Sequence, residues 1–162
     1  MNRRRFIITL AGTTAASLLA PRLLLGKEER QAAIEKITRS EAEWKQILTP
    51  EQFEILREDG TEPAFSSPLD NEKRKGTYVC AGCALPLFTS EMKYDSGTGW
   101  PSFTTTLPGA VETRLDFKLV WPRTEYHCAR CGGHQGHVFN DGPPPTGKRW
   151  CNNGLALKFI PA

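Results

Sequence analysis

The sequence predicts a mainly β domain with two short helices at its front and a structural zinc site. Two helix start signals lie between residues 40 and 52, short apolar segments separated by glycine and proline follow from residue 61, and two C-x-x-C pairs supply four cysteines. With 162 residues, of which 39% are hydrophobic and 24% charged, the chain suits one globular domain and is neither disordered nor collagen-like.

The helices are predicted from their N-terminal caps. Ser40 and Glu43 match a capping box, and Thr49 and Gln52 match a second one with Pro50 at the first helical position. Apolar residues recur at helical spacing behind each cap. We therefore expect two consecutive short helices at the start of the domain.

Alternation of apolar residues along the chain predicts the main strands. Every second residue is large and apolar over 115–121 and again over 155–159, which is typical of half-buried strands. Shorter strands are expected at 77–79, 126–127 and 137–139.

The positive net charge belongs to the N-terminus. Residues 1–26 hold four of the 21 basic residues and no acid, so the rest of the chain carries 17 basic and 18 acidic residues and a net charge of about −1. Without a basic excess, the domain lacks the electrostatic attraction on which nucleic-acid binding depends. We expect no nucleic-acid partner.

The N-terminus has the pattern of an export signal. Arg3 and Arg4 precede Arg5-Phe6-Ile7, which resembles the twin-arginine signal, and a short apolar stretch follows. We expect an export signal over 1–26, a linker over 27–39 and the functional domain over 40–162, in a periplasmic protein. Contact with a membrane is expected only if the leader is not cleaved.

Four of the five cysteines are spaced like zinc ligands. Cys80 and Cys83 form one C-x-x-C pair, and Cys128 and Cys131 form a second, which together provide the four thiolates of a tetrahedral structural site. The 44 residues between the pairs exceed the usual ribbon spacing. Two disulfides or redox-active dithiols remain the alternatives for an exported protein.

The fifth cysteine, Cys151, is predicted to be reactive. Arg149 lies two residues before it and Asn153 two residues after it, so on a strand all three share one face. A guanidinium there favours the thiolate, and the asparagine offers amide donors. The alternative is an ordinary buried core cysteine.

Two glycine-rich segments have the composition of a binding site. His134 and His137 lie three residues apart beside the second cysteine pair, where imidazoles can serve as proton donors. Trp100 lies in a glycine turn that can expose its flat apolar face. Structural histidines and a core tryptophan are the alternatives.

Six ordered motifs resemble the B-type peptide methionine sulfoxide reductases, over about three-quarters of the chain. They are LTPEQ at 48–52, GTEPAF at 60–65, YVCAGC at 78–83, SGTGWPSF at 96–103, HQGHVFNDGP at 134–143 and PTGKRWCNN at 145–153. The resemblance implies two small antiparallel sheets, a structural Zn²⁺ on the paired cysteines, and reduction of the R epimer of methionine sulfoxide.

The resemblance also implies a role for each candidate residue. Cys151 matches the nucleophile, and Arg149 the group that promotes its thiolate. Trp100 matches the pocket wall for the sulfoxide's methyl group. The polar set that orients the substrate and helps protonate its oxygen matches His134, His137 and Asn153, with Asp141 at an acidic position that helps to place this set.

One departure from the family concerns the reductant. Many members carry a resolving cysteine in the Ser-Gly-x-Gly-Trp turn, where this chain has Thr98. We therefore expect oxidised peptides or proteins as substrate and an external reductant, either a thioredoxin-like partner or a small thiol, acting directly on the sulfenic acid of Cys151.

Two other functions are compatible with the cysteine pattern. The first is a zinc-ribbon-like binding module, which the near-neutral charge disfavours for nucleic acid. The second is a periplasmic dithiol–disulfide protein that uses a C-x-x-C pair.

Overall fold

The computed structural model describes residues 34–119 and 121–162. The predicted export signal and the first part of the predicted linker lie outside the described residues. Within the described part of the chain, no helix has the length and apolar character needed to cross a membrane.

Both predicted helices are present and begin at the predicted caps. Helix α1 spans Glu41–Ile47 and α2 spans Pro50–Glu58. In each capping box the side chain of the cap residue accepts from the third helical N–H, and the third side chain accepts from the cap N–H. These reciprocal bonds satisfy helix N–H groups that would otherwise lack partners.

Nine strands form two antiparallel sheets in the described residues, which confirms the predicted fold class. The first sheet has the order β2-β1-β9 and the second has the order β3-β4-β8-β7-β6-β5. The strands are β1 Gly76–Cys80, β2 Pro86–Thr89, β3 Lys93–Tyr94, β4 Ser102–Phe103, β5 Val111–Asp116, β6 Arg123–Cys128, β7 His134–Phe139, β8 Arg149–Asn152 and β9 Leu157–Pro161.

An aromatic core lies between the two sheets and the helices. Phe88 stacks on Phe103 with ring centroids 3.9 Å apart, and Tyr78 and Tyr126 meet these rings edge-on. All four side chains are fully buried. Such pairs add to the stabilisation from apolar burial and fix the two sheets against each other.

The strand predicted over 115–121 is wrong in both its limits and its burial. Strand β5 ends at Asp116, whose carboxylate accepts from the Lys118 N–H and turns the chain. Phe117 and Trp121 lie outside the strand and are 69% and 80% exposed. Similarly, residues 154–156 form a short 3-10 turn, so the strand predicted over 155–159 begins at Leu157.

The register of the larger sheet aligns polar residues in one row. Arg114, Glu125, His137, Cys151 and Ser102 are successive cross-strand partners on β5, β6, β7, β8 and β4. Directly opposed residues project to the same face of a sheet. The register therefore places the free cysteine beside a histidine and, one strand further, a carboxylate.

Candidate active site and metal centre

The four paired cysteines meet in one cluster where the two sheets come together. Cys80 ends β1 in the smaller sheet and Cys128 ends β6 in the larger one, and each is followed by a tight turn that carries Cys83 or Cys131. The four sulfurs lie within 4.8 Å of one another.

The spacing of these sulfurs fits a tetrahedral metal rather than disulfides. The distance is 3.6 Å from Cys80 Sγ to Cys131 Sγ and 3.5 Å from Cys83 Sγ to Cys128 Sγ. Zn–S bonds of about 2.3 Å put tetrahedral sulfurs ~3.8 Å apart, whereas bonded sulfurs lie ~2.05 Å apart. The Gln135 amide lies 3.5 Å from Cys80 Sγ, where it can donate to a metal-bound thiolate.

Cys151 lies apart from that cluster, on β8, in the wall of a small cavity of about 210 Å³. Trp100 and Phe139 give the lining its apolar part, and polar side chains form most of the rest. The lining consists of Thr61, Thr98, Trp100, Arg123, Gly136, His137, Phe139, Arg149, Cys151, Asn152 and Asn153. A cavity of this size and composition accepts one side chain with an apolar end and a polar group.

Opposing influences act on the Cys151 thiol. Burial raises its pKa above the ordinary value, and the Arg149 charge and a hydrogen bond from Thr98 lower it without offsetting the burial. Arg149 and Thr98 therefore favour the thiolate, whereas burial favours the thiol.

Arg149 is held by two partners in a fixed position near the cysteine. Its guanidinium donates two bonds of 2.9 Å to the Asp141 carboxylate and covers the Phe139 ring at 4.3 Å from the centroid. Asp141 itself is exposed and does not line the cavity. Asp141 contacts this site through Arg149, whose hydrogen bonds and charge lower the pKa of the Asp141 carboxyl.

Trp100 lies in the wall of the cavity in a fixed orientation. Its indole Nε1 donates to the Glu62 carbonyl oxygen at 3.1 Å, which leaves the ring face for the cavity. Thr98 lies in the same wall within the turn that the sequence singled out. The Thr98 hydroxyl is also 2.8 Å from Ser96 Oγ.

His137 contributes a polar group to the same cavity. Its Nε2 lies 2.8 Å from Asp116 Oδ2, and Arg123 binds the same oxygen at 2.7 Å. Burial lowers the pKa of His137, so the ring is neutral near pH 7. A neutral ring with Nε2–H donating to Asp116 leaves Nδ1 as an acceptor.

His134 is buried behind His137 and does not line the Cys151 cavity. The two rings lie 5.4 Å apart, and His134 Nδ1 lies 2.7 Å from Glu125 Oε1. Its Nε2 is buried without a hydrogen-bond partner among the described residues. The Glu125 contact fixes Nδ1–H, which makes Nε2 the nitrogen that can exchange a proton.

Asn153 lines the cavity, but both polar atoms of its side-chain amide are hydrogen-bonded to backbone groups of other residues. Its Oδ1 accepts from the Glu62 N–H at 3.1 Å and its Nδ2 donates to the Gln135 carbonyl at 3.1 Å. The same segment is tied to Glu62 again, because the Glu62 carboxylate accepts from the N–H groups of Gly154 and Leu155.

Sequence reasoning missed three acids that organise the site: Glu62, Asp116 and Glu125. Glu62 lies in the GTEPAF motif, but nothing local marks its carboxylate as buried. Burial alone would raise the pKa of Glu125, but hydrogen bonds from His127 and His134 and the Arg114 charge bring it down to about 2. A single carboxylate on a strand becomes visible only when its cross-strand partners are known.

The fold and geometry define a class of protein: a mainly β domain with a four-cysteine metal-type cluster and a separate cysteine cavity. The SelR domain family matches residues 48–161. A protein of Agrobacterium fabrum named "Peptide methionine sulfoxide reductase MsrB" is 54% identical over 127 residues, covering 78% of this chain and 94% of that protein.

Other relatives carry similar names. A Leptospira interrogans protein with the same name is 52% identical over 76% of this chain and 95% of its own length. "Peptide methionine sulfoxide reductase B1, chloroplastic" of Arabidopsis thaliana is 53% identical over 74% of this chain and 60% of its own length. The chain belongs to the SelR domain family of B-type peptide methionine sulfoxide reductases.

Proposed function

We propose that this chain reduces the R epimer of methionine sulfoxide in peptides and proteins, with Cys151 as the nucleophile. The observation that carries the proposal is one cysteine, separate from the four clustered ones, in a cavity with an aromatic wall at Trp100 and an imidazole at His137. The names of the relatives support the same reaction.

The chemistry is an oxygen transfer between two sulfurs. The Cys151 sulfur attacks the sulfoxide sulfur, the S–O bond of the substrate breaks, and the oxygen ends on Cys151 as a sulfenic acid while methionine leaves as a thioether. Two electrons pass from the cysteine sulfur to the methionine sulfur. The step balances because the proton of the Cys151 thiol ends on the oxygen of the sulfenic acid.

The walls of the cavity account for the choice of one epimer. The methyl group requires an apolar surface, which Trp100 and Phe139 supply, and the oxygen requires polar partners on a different wall. His137 faces the cavity, and it can give a hydrogen bond to the oxygen once its Nδ1 takes up a proton, while His134 lies behind it. The side chain of Asn153 fixes the end of the cavity next to β8, through its hydrogen bonds to the backbone groups of Glu62 and Gln135.

An assay of both epimers tests the proposed reaction. With dithiothreitol as reductant, the wild type is expected to convert the R sulfoxide and leave the S sulfoxide, and Cys151→Ser is expected to convert neither. Conversion of the R form by the serine variant would contradict the proposal.

The sulfenic acid is proposed to react directly with an external dithiol. One thiol of the reductant forms a mixed disulfide with Cys151 and releases water, and the second thiol displaces Cys151 and leaves an oxidised dithiol. Thr98 occupies the turn beside Cys151, and the other four sulfurs are gathered in the metal-type cluster. After one turnover without reductant, mass analysis is expected to show one added oxygen on Cys151. A disulfide within the chain would contradict this route.

The four-cysteine cluster is proposed to hold a structural zinc ion. Cys80, Cys83, Cys128 and Cys131 would supply its four thiolates, and the ion would join the two sheets without taking part in the reaction. Metal analysis of the purified protein is expected to give one equivalent of zinc.

We also propose that the protein is exported and repairs oxidised proteins in the periplasm. The support is the sequence of residues 1–26, with Arg3 and Arg4 before an apolar stretch. Replacing both arginines with lysine is expected to keep the protein in the cytoplasmic fraction. Unchanged export of that variant would contradict the twin-arginine route.

A further inference from the structure

Exposed apolar side chains are concentrated beside the candidate active site. Eight large hydrophobic residues are exposed in the described part of the chain, and four of them lie at the end of β5 and in the connection from β5 to β6. We call this set the 115–121 surface. Its members are Leu115, Phe117, Leu119 and Trp121, which are 58–80% exposed.

Two members of the 115–121 surface, Leu115 and Phe117, lie next to the Cys151 cavity. Leu115 and Phe117 line a second cavity of about 350 Å³, and His137 and Arg123 line both this cavity and the one that contains Cys151. A chain that leaves the Cys151 cavity past His137 therefore comes next to Leu115 and Phe117.

The charged groups in the second cavity are already paired with one another. Asp59 binds both Arg114 and Lys118 at 3.0 Å, and Asp116 binds Arg123 at 2.7 Å. No cation of this set is left without an acidic partner. The unpaired chemistry of the surface is thus apolar, because its exposed cations, Arg114 and Lys118, already have an acidic partner, and this suits hydrophobic side chains better than an anionic membrane or an acidic peptide.

We propose that the 115–121 surface binds apolar residues that flank the oxidised methionine in a polypeptide substrate. This inference rests on the proposed function. The Cys151 cavity, at about 210 Å³, has room for one side chain, so the rest of a peptide must lie on the surface around it. Methionines that are normally buried have other apolar residues two positions away on a strand, or three and four positions away on a helix, and unfolding exposes those residues together with the sulfoxide.

Peptide kinetics with the full chain test this proposal. Three substrates carry the R sulfoxide: N-acetylmethionine sulfoxide, an unstructured decapeptide with leucine and phenylalanine beside the sulfoxide, and a matched decapeptide with glycine and serine there. The variant is Phe117→Ser/Trp121→Ser, both at exposed positions. The matched control is Ile47→Ser, which removes an exposed apolar side chain of α1 that lines neither cavity.

The expected result is specific to one substrate. In the double variant the KM for the apolar-flanked peptide rises about tenfold with kcat unchanged, since burial of parts of two aromatic side chains is lost. The kinetics on the other two substrates stay as in the wild type, and Ile47→Ser changes none of the three.

Three outcomes would overturn the docking surface. The first is an unchanged KM of the double variant for the apolar-flanked peptide, and the second is an equal loss of activity on all three substrates. The third is that the double variant keeps the wild-type peptide kinetics but loses a self-association or a binding to anionic vesicles that the wild type shows. Failure of the wild type to reduce N-acetylmethionine sulfoxide would instead refute the proposed reaction, so the two failures are distinguishable.

Discussion

Among single residues, Arg149 carries the charge that lowers the pKa of Cys151, the proposed nucleophile. Its charge and hydrogen bond lower the pKa of Cys151 while burial raises it, and the pair with Asp141 fixes the guanidinium in place. Arg149→Met removes the positive charge that lowers the pKa of Cys151, while the burial that raises this pKa remains. The pKa of Cys151 is expected to rise further, by roughly one pH unit, and the rate of alkylation by iodoacetamide at pH 8 to fall about tenfold.

The neighbouring lysine provides the control for this change. Lys148→Met removes an equal charge one residue away, from an exposed side chain bonded to Asn140. Its alkylation profile against pH is expected to follow that of the wild type. Coincident profiles for Arg149→Met and the wild type would show that the guanidinium does not control the thiol.

Glu125 is expected to act as a positioning residue for His134. The carboxylate binds His134 Nδ1 at 2.7 Å and the Arg114 guanidinium at 2.8 Å, and it does not touch Cys151. In Glu125→Gln the amide can donate to Nδ1 and favour the other tautomer. We expect kcat to fall about tenfold or more and its pH profile to shift, with the alkylation of Cys151 unchanged.

A second glutamate–histidine contact serves as control for Glu125. Glu112→Gln removes an exposed carboxylate on β5 that lies 3.4 Å from His127 on β6 and does not line the cavity. Its kcat and pH profile are expected to match the wild type. If Glu125→Gln behaves in the same way as this control, the contact with His134 has no part in the reaction.

A site residue can be identified from the sequence when the pattern that marks it lies within a few neighbouring residues. Cys151 stands out because it is the odd cysteine, and the pairs Cys80/Cys83 and Cys128/Cys131 stand out through their spacing. Glu125 carries no such signal, since its importance comes from partners on two other strands.

At the scale of elements, Gly136 controls how closely β7 approaches β8. A Cβ at this position would lie 2.0 Å from the Cys151 carbonyl oxygen, so any side chain pushes apart the strands that carry His137 and Cys151. Gly136→Ala is expected to lower the free energy of unfolding by about 2–3 kcal/mol and to reduce activity, as measured by denaturant unfolding and the R-sulfoxide assay.

Another glycine gives the matched substitution. At Gly82 the nearest atom to an added Cβ, on Trp44, is 3.4 Å away, an ordinary contact. Gly82→Ala is expected to retain both stability and activity. Equal stability of the two variants would mean that the strands adjust to the methyl group without cost.

The helices could be predicted closely and the strands less so, for a physical reason. Capping depends on residues three apart in the sequence, so Ser40 and Thr49 suffice to place both helix starts. The alternation of apolar and polar residues over 115–121 predicts a strand with one apolar face. That face is buried only if another part of the protein packs against it. Among the described residues no second layer covers this part of the chain, and its apolar side chains remain exposed.

For the whole molecule, the four-cysteine cluster joins residues at the ends of strands from both sheets. The unusually long interval between its C-x-x-C pairs has a simple explanation, since β2, β3, β4 and β5 lie between them in the chain. The spacing within each pair could therefore be read from the sequence, whereas the meeting of the two pairs depends on the packing of both sheets.

Removing one sulfur from each site separates the two uses of cysteine in this fold. Cys80→Ser is expected to lose zinc and to lower the melting temperature by on the order of 10 °C or more, because metal binding contributes directly to folding. Cys151→Ser removes the same atom from the cavity wall and is expected to keep one equivalent of zinc and the wild-type melting temperature, with no reductase activity. If Cys80→Ser instead melts with the wild type and loses only thiol exchange, the cluster is a redox dithiol site and the link between the sheets is made by the aromatic core alone.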